Sequence, residues 1–78
     1  MTDFRVDKEK RKSLHQVKQI LMMVKANKHE IKRSAVQLAV LNDCAVSKKY
    51  VDTMIDLVLD QETQWQEEEG VIWYMLSE

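Results

Sequence analysis

Lys48 and Lys49 follow directly on Ser47, a residue type that commonly caps helices, and open an apolar-periodic run. Two cations in a helix's first turn oppose its macrodipole and cost a few tenths of a kcal/mol. A phosphate or carboxylate bound at that helix end reverses the sign, so the pair points to an anion. Glu67, Glu68 and Glu69 form a second charged cluster, of opposite sign. The remaining reactive residue types do not converge. His15 and His29 have no cysteine or carboxylate at metal-ligand spacing, and Cys44 has no base beside it in the sequence. There is no glycine-rich phosphate loop and no nucleophile motif. The expectation is a binding protein, not an enzyme, with no catalytic residues, no metal and no cofactor. Met22, Met23, Met54 and Met75 read as core or interface filling.

The charges segregate along the chain. All 12 basic residues lie at or before Lys49, opposed there by five acids, a net +7; from Tyr50 onward eight acids and no bases give −8. Such asymmetry suggests a polyanion for one half and a different partner for the other. At 78 residues with one glycine and no proline, the chain is one small domain. A single cysteine suits a reducing compartment. No apolar stretch approaches the roughly 20 residues a membrane span needs, and the N-terminus does not read as an export signal. Those features predict a cytoplasmic protein without a membrane partner.

Leu14, Val17, Ile20, Leu21 and Val24 recur at helical spacing and predict an amphipathic helix over about 13–26, closed by Asn27. Ser13 with Gln16 supplies a capping pair for its start; Asp7 offers an earlier one, making Lys8 to Lys12 a charged first turn. Residues 1–12 are thus a charged arm or a helix extension, and 13–78 the domain. The next segment reads either as one helix capped by Asn27, or as an extended piece through Ile31 followed by a short helix capped by Ser34 and ending at Asn42-Asp43. The second parse is preferred. Leu38, Ala39 and Leu41 are expected in or near the core, with Cys44 a small buried turn residue. Ser47 then caps a third helix to about Asp60, whose Val51, Met54, Ile55 and Val58 share one face behind Val46.

After residue 60 the period changes. TQWQ and VIWYML flank Gly70 and read as a β-hairpin with a three-residue loop, Glu68 to Gly70, that would set Trp65 opposite Trp73; the alternative extends the third helix through Gln61 to Glu69, since Glu and Gln are good helix formers.

The resulting order, together with GVIWYMLSE at the end and with Ile31, Ser34, Gln37-Leu38-Ala39, Val46-Ser47 and Val51, resembles the winged helix-turn-helix regulators of bacteria, archaea and viruses. The fold class expected is α+β, mainly helical: a three-helix winged helix-turn-helix with a C-terminal hairpin. The resemblance implies a sequence-specific, double-stranded-DNA-binding transcriptional regulator, a homodimer, that uses its third helix. Its implied contacts are Lys48 and Lys49 with phosphate or guanine, Thr53 with phosphate or a thymine methyl, and Asp52 with cytosine N4, alongside Ser47 and Tyr50. Asp52 serves equally as a helical partner of Lys48. Lys32, Arg33 and Ser34 would hold a phosphate at the start of the second helix. The alternative is a small interaction module, an inhibitor or adaptor, meeting a basic protein through Glu67, Glu68 and Glu69.

Overall fold

The structure, a computed structural model, describes residues 4–75. It comprises α1 (Phe4–Asn27), β1 (Glu30–Lys32), α2 (Arg33–Asp43), α3 (Lys48–Asp60), β2 (Trp65–Glu68) and β3 (Val71–Tyr74). The fold is α+β and mainly helical, with the strands in one antiparallel sheet of order β1-β3-β2. No helix among the described residues is long and apolar enough to cross a membrane.

α1 takes the longer of the two starts that the sequence allows. It begins at Phe4, so Ser13 is not a cap: it is fully buried in mid-helix, and its hydroxyl donates to the Lys10 carbonyl at 2.7 Å. Lysine, arginine and glutamate are good helix formers, and the turns of residues 8–12 continue the helix outward with their cations exposed. The far end closes without glycine. Lys28 takes φ +56°, and the amides of Lys28 and His29 donate back to the carbonyls of Lys25 and Val24. That 5→2 and 6→1 pattern satisfies carbonyls the helix end would otherwise leave free.

The expected Ser34 cap is also displaced. β1 pairs with β3, Glu30 opposite Trp73 and Lys32 opposite Val71, and the chain turns into α2 straight from the strand. Lys32 holds the cap position without a side-chain bond, while the Arg33 amide donates to the Gly70 carbonyl at 2.8 Å. Ser34 therefore sits exposed in the first turn. α2 carries two apolar stripes, and the one the core takes is Val36, Val40 and Cys44 with Gln37. Leu38 is 63% exposed and Ala39 lies on the same outer side, against expectation, while Leu41 is partly buried.

α3 matches its expected bounds. The Ser47 hydroxyl accepts from the Tyr50 amide at 3.1 Å, and Val51, Met54, Ile55 and Val58 are buried. They close a core with Val17 and Leu21 of α1, the α2 valines and Ile72 of β3.

The hairpin forms with a different register. Its loop has two residues, Glu69 (φ +52°) and Gly70 (φ +76°), both left-handed, the type I′ geometry that suits strand twist. Trp65 consequently faces Tyr74, and Trp73 faces Gln66. Because side chains alternate at period two, a one-residue shift sends the two tryptophans to opposite faces of the sheet. The aromatic pair that forms is Trp65 on Tyr74, centroids 5.0 Å apart at 75°. Leu76, at the end of the expected strand, and residues 1–3 of the charged arm lie outside the described residues.

Candidate nucleic-acid interface

α1 and α3 run side by side in the same direction, and this brings the two basic segments of the sequence to one end of the molecule. Lys10 stands over the Tyr50 ring with its Nζ 5.4 Å from the centroid, a cation–π contact between α1 and the first turn of α3. Lys12 donates to the Asp43 carbonyl at 2.8 Å, and Gln16 to the Asp43 carboxylate at 3.1 Å, which pins the first half of α1 against the end of α2. Lys8, Lys10, Lys12, Lys48 and Lys49 are all exposed, with Lys8 and Lys12 beside Ala45 and Lys10 beside Ser47 and Tyr50. A shallow cavity of about 290 Å³, lined by Lys10, Ala45, Val46, Ser47 and Tyr50, opens between the two helices.

At this end the Ser47 hydroxyl takes the Tyr50 amide, and the Val51 amide donates to the Ser47 carbonyl. The amides of Lys48 and Lys49 project from the helix end, carrying the positive pole of the macrodipole. Five cations and a helix N-terminus therefore share this end of the molecule. Thr53 is exposed one turn further along, its hydroxyl donating to the Lys49 carbonyl at 3.0 Å.

Arg33 and Asp52 have a different setting from the other expected contacts. The Arg33 guanidinium lies among three carboxylates: both oxygens of Glu67 at 2.7 and 2.8 Å, Asp56 at 2.7 Å and Asp52 at 3.2 Å. Gln37 donates to the same Asp52 oxygen. Asp52 thus partners Arg33 and Gln37 across the helix pair, and among the described residues it makes no bond to Lys48. The fork of Glu67 raises Arg33 above its ordinary range despite partial burial, and Arg33 in turn holds Glu67 below the usual carboxylate range. The cluster ties α2, α3 and β2 together.

Lys32 and Ser34 are exposed beside this cluster, at the start of α2, whereas Lys48 and Lys49 stand beyond its other end, separated by roughly 16 Å of helix. The nine expected contacts therefore divide. Ser47, Lys48, Lys49, Tyr50 and Thr53 share the basic end; Lys32, Arg33, Ser34 and Asp52 surround the ionic cluster.

Sequence spacing did not reveal the first turns of α1 as part of the same surface, since Lys10 and Tyr50 are forty residues apart. The shared positive charge of residues 8–12 and of Lys48 and Lys49 was the available signal. The other reactive groups are dispersed. His15 and His29 are exposed on separate elements, and burial pushes the Cys44 thiol above its ordinary value, which keeps it protonated at neutral pH. Among the described residues no group of three or more histidines, cysteines or carboxylates is arranged to hold a metal ion.

Comparison with protein families, with curated proteins and with solved structures returns no match to the chain.

Proposed function

We propose that this protein is a double-stranded-DNA-binding transcriptional regulator of winged helix-turn-helix type, acting in the cytoplasm as a homodimer, and that it meets the phosphate backbone with its basic end. The observation that carries the reading is the junction of Lys48 and Lys49, at the exposed and capped N-terminus of α3, with Lys8, Lys10 and Lys12 of α1 folded to the same end. Phosphate is the anion that duplex DNA presents in quantity, and a helix N-terminus flanked by lysines complements it. The solvent side of α3 further along carries Asp56 and Asp60, both exposed, which favours entry by the first turn over lengthwise docking. Within that first turn and a half, Lys49 and Thr53 are the side chains available to base edges. The same charge arrangement supports a binding role and no catalytic one.

Five cations at the interface give a slope of log affinity against log salt of up to about −4.5. Reversing Lys48 and Lys49 to Glu is expected to weaken binding and flatten that slope by at least about 2. Failure of the wild-type chain to shift any duplex at about 50 mM salt refutes the proposal.

Exposed acids away from the basic end favour a second reading. Asp56, Asp60, Glu68 and Glu69 face solvent, which suits a basic protein partner. Under that reading Glu68→Gln with Glu69→Gln abolishes the protein complex, while the lysine reversals leave it intact. Glu67 is left out of that variant because it is bound to Arg33.

A further inference from the structure

β2 is an edge strand. In the order β1-β3-β2 it has β3 on one side and, among the described residues, no strand on the other. Gln66, Glu67 and Glu68 are exposed, where every residue of β3 is at least half-buried. Which backbone groups lie on the open side follows from the ladder. The Met75 amide donates to the Gln64 carbonyl at 2.8 Å. Successive residues of a strand aim their N–H and C=O groups alternately to its two sides, so Gln64, Gln66 and Glu68 bond toward β3 while Trp65 and Glu67 turn theirs outward. Among the described residues no other backbone group meets either outward pair. Glu67 agrees with this: its side chain is sheltered against Arg33, yet the residue as a whole is exposed, so what it shows to solvent is main chain.

An open edge accepts another extended chain, and main-chain pairing is indifferent to the sequence of that chain. The side chains beside the edge select it. Arg33 gathers Glu67, Asp56 and Asp52 within bonding reach, which places the α3 carboxylates alongside β2. Asp60 follows Asp56 one turn along α3, and Glu68 and Glu69 are exposed at the end of the strand. Six carboxylates thus border the edge against one guanidinium. Other cations do not offset them. Lys25 is bound to Glu62, Lys32 lies two strands away across Val71, about 10 Å, and Lys48 and Lys49 lie about 10 Å or more from Asp56 along α3. Such a border repels nucleic acid and attracts a cationic polypeptide. The chain's own densest basic segment is wound into α1, so it does not supply the strand.

We infer that the open edge of β2 takes an extended basic segment of another protein as a fourth strand of the sheet. The inference rests on the reading of the acidic surface as a protein site and adds how the partner is held. The N–H and C=O groups of Trp65 and Glu67 pair with the partner's main chain. Its side chains alternate between two faces, so lysines or arginines on one face meet Asp56 and those on the other meet Glu68. β2 is about 13 Å long, which calls for about four to six extended residues in the partner.

The probe is a blocked peptide of about eight residues that alternates lysine and threonine. Its control is the same peptide N-methylated throughout, which keeps every charge but has no amide to donate. NMR titration of the isotope-labelled full chain with up to about 1 mM of the first peptide is expected to saturate. The amides of Trp65 and Glu67, fast to exchange in the free protein, are expected to slow by at least about 10-fold, while Gln66 and Glu68 keep the protection that β3 gives them. The N-methylated peptide is expected to bind at least about 10-fold more weakly. Glu68→Lys, at an exposed side chain, is expected to weaken the first peptide about 10-fold and to leave the thermal melt unchanged. Equal binding of the two peptides overturns the added strand and leaves an acidic surface that holds basic proteins by charge alone. Protection of the Trp65 and Glu67 amides in the free chain also overturns it. Absence of binding by either peptide overturns the inference and the reading beneath it together.

Discussion

Replacing Arg33 by Met removes the guanidinium while keeping most of the apolar stem, and the structure fixes what that change should cost. The fork to Glu67 is bidentate and relatively sheltered, Glu67 being 29% exposed and Arg33 20%. Such a charge-assisted pair contributes about 1.5 kcal/mol net. Asp52 is 41% exposed and Asp56 64%, so solvent screening reduces their shares to about 0.5 and 0.3 kcal/mol. The expected loss at pH 7 is about 2 kcal/mol, from a total of about 4–12 kcal/mol for 78 residues. In melting temperature that is about 8–16 °C. The loss also has a pH signature. Arg33 depresses Glu67, so the stabilisation from this pair is fully present above the unfolded carboxylate range, near 4.3, and disappears as pH falls through the lower folded value. In the variant, three carboxylates face one another without a cation, and protonation relieves them. The difference between wild type and Arg33→Met should therefore shrink steadily below about pH 4. Arg33→Lys, which retains a charge but not the fork, is expected to lose about half as much. Urea unfolding followed by far-UV dichroism at pH 7 and in acid checks all three. A loss under about 0.5 kcal/mol at pH 7, or one independent of pH, refutes the reasoning.

Gly70→Ala meets no atom within 4 Å, so its cost is conformational alone, about 1 kcal/mol at φ +76°. Glu69→Asn should instead stabilise by about 0.5 kcal/mol, because asparagine tolerates the left-handed region better, and urea midpoints of the pair should move in opposite directions. The Glu62 carboxyl is held below its ordinary range first by the Tyr74 hydroxyl at 2.8 Å and then by Lys25, so Tyr74→Phe should raise it in a carboxyl NMR titration, and an unchanged value would exclude that bond.

Local chemistry made much of this protein legible in one dimension. The face of α3, its Ser47 cap and its end at Asp60 follow from apolar spacing and a capping residue, which are properties of a few adjacent residues. The stripe of α1 and the existence of a hairpin near Gly70 were legible for the same reason, as was the division into a basic and an acidic half. Where α1 begins was open, because nothing in a charged segment of good helix formers distinguishes an arm from a helix. The hairpin's register was equally indistinct, since Glu69 adopts a positive φ that its residue type does not announce.

The candidate surface depended on tertiary structure more than the elements did. Five of the expected contacts were charged residues chosen by sign and position in a helix. Two of these, Arg33 and Asp52, bond to one another because α2 crosses α3 beside β2, bringing Glu67 within 2.7 Å of a residue 34 positions earlier. No spacing rule links such distant residues. The same packing chose Val36 and Val40 over Leu38 for the core, a choice between two apolar stripes of equal local merit. Sequence alone determined the helical stripe of α1, the bounds and apolar face of α3, and that positive and negative charge are segregated. Only the packing of the helices decided which charges neutralise one another and which remain in solvent, because Coulomb attraction and burial act on distance in space and not on separation along the chain.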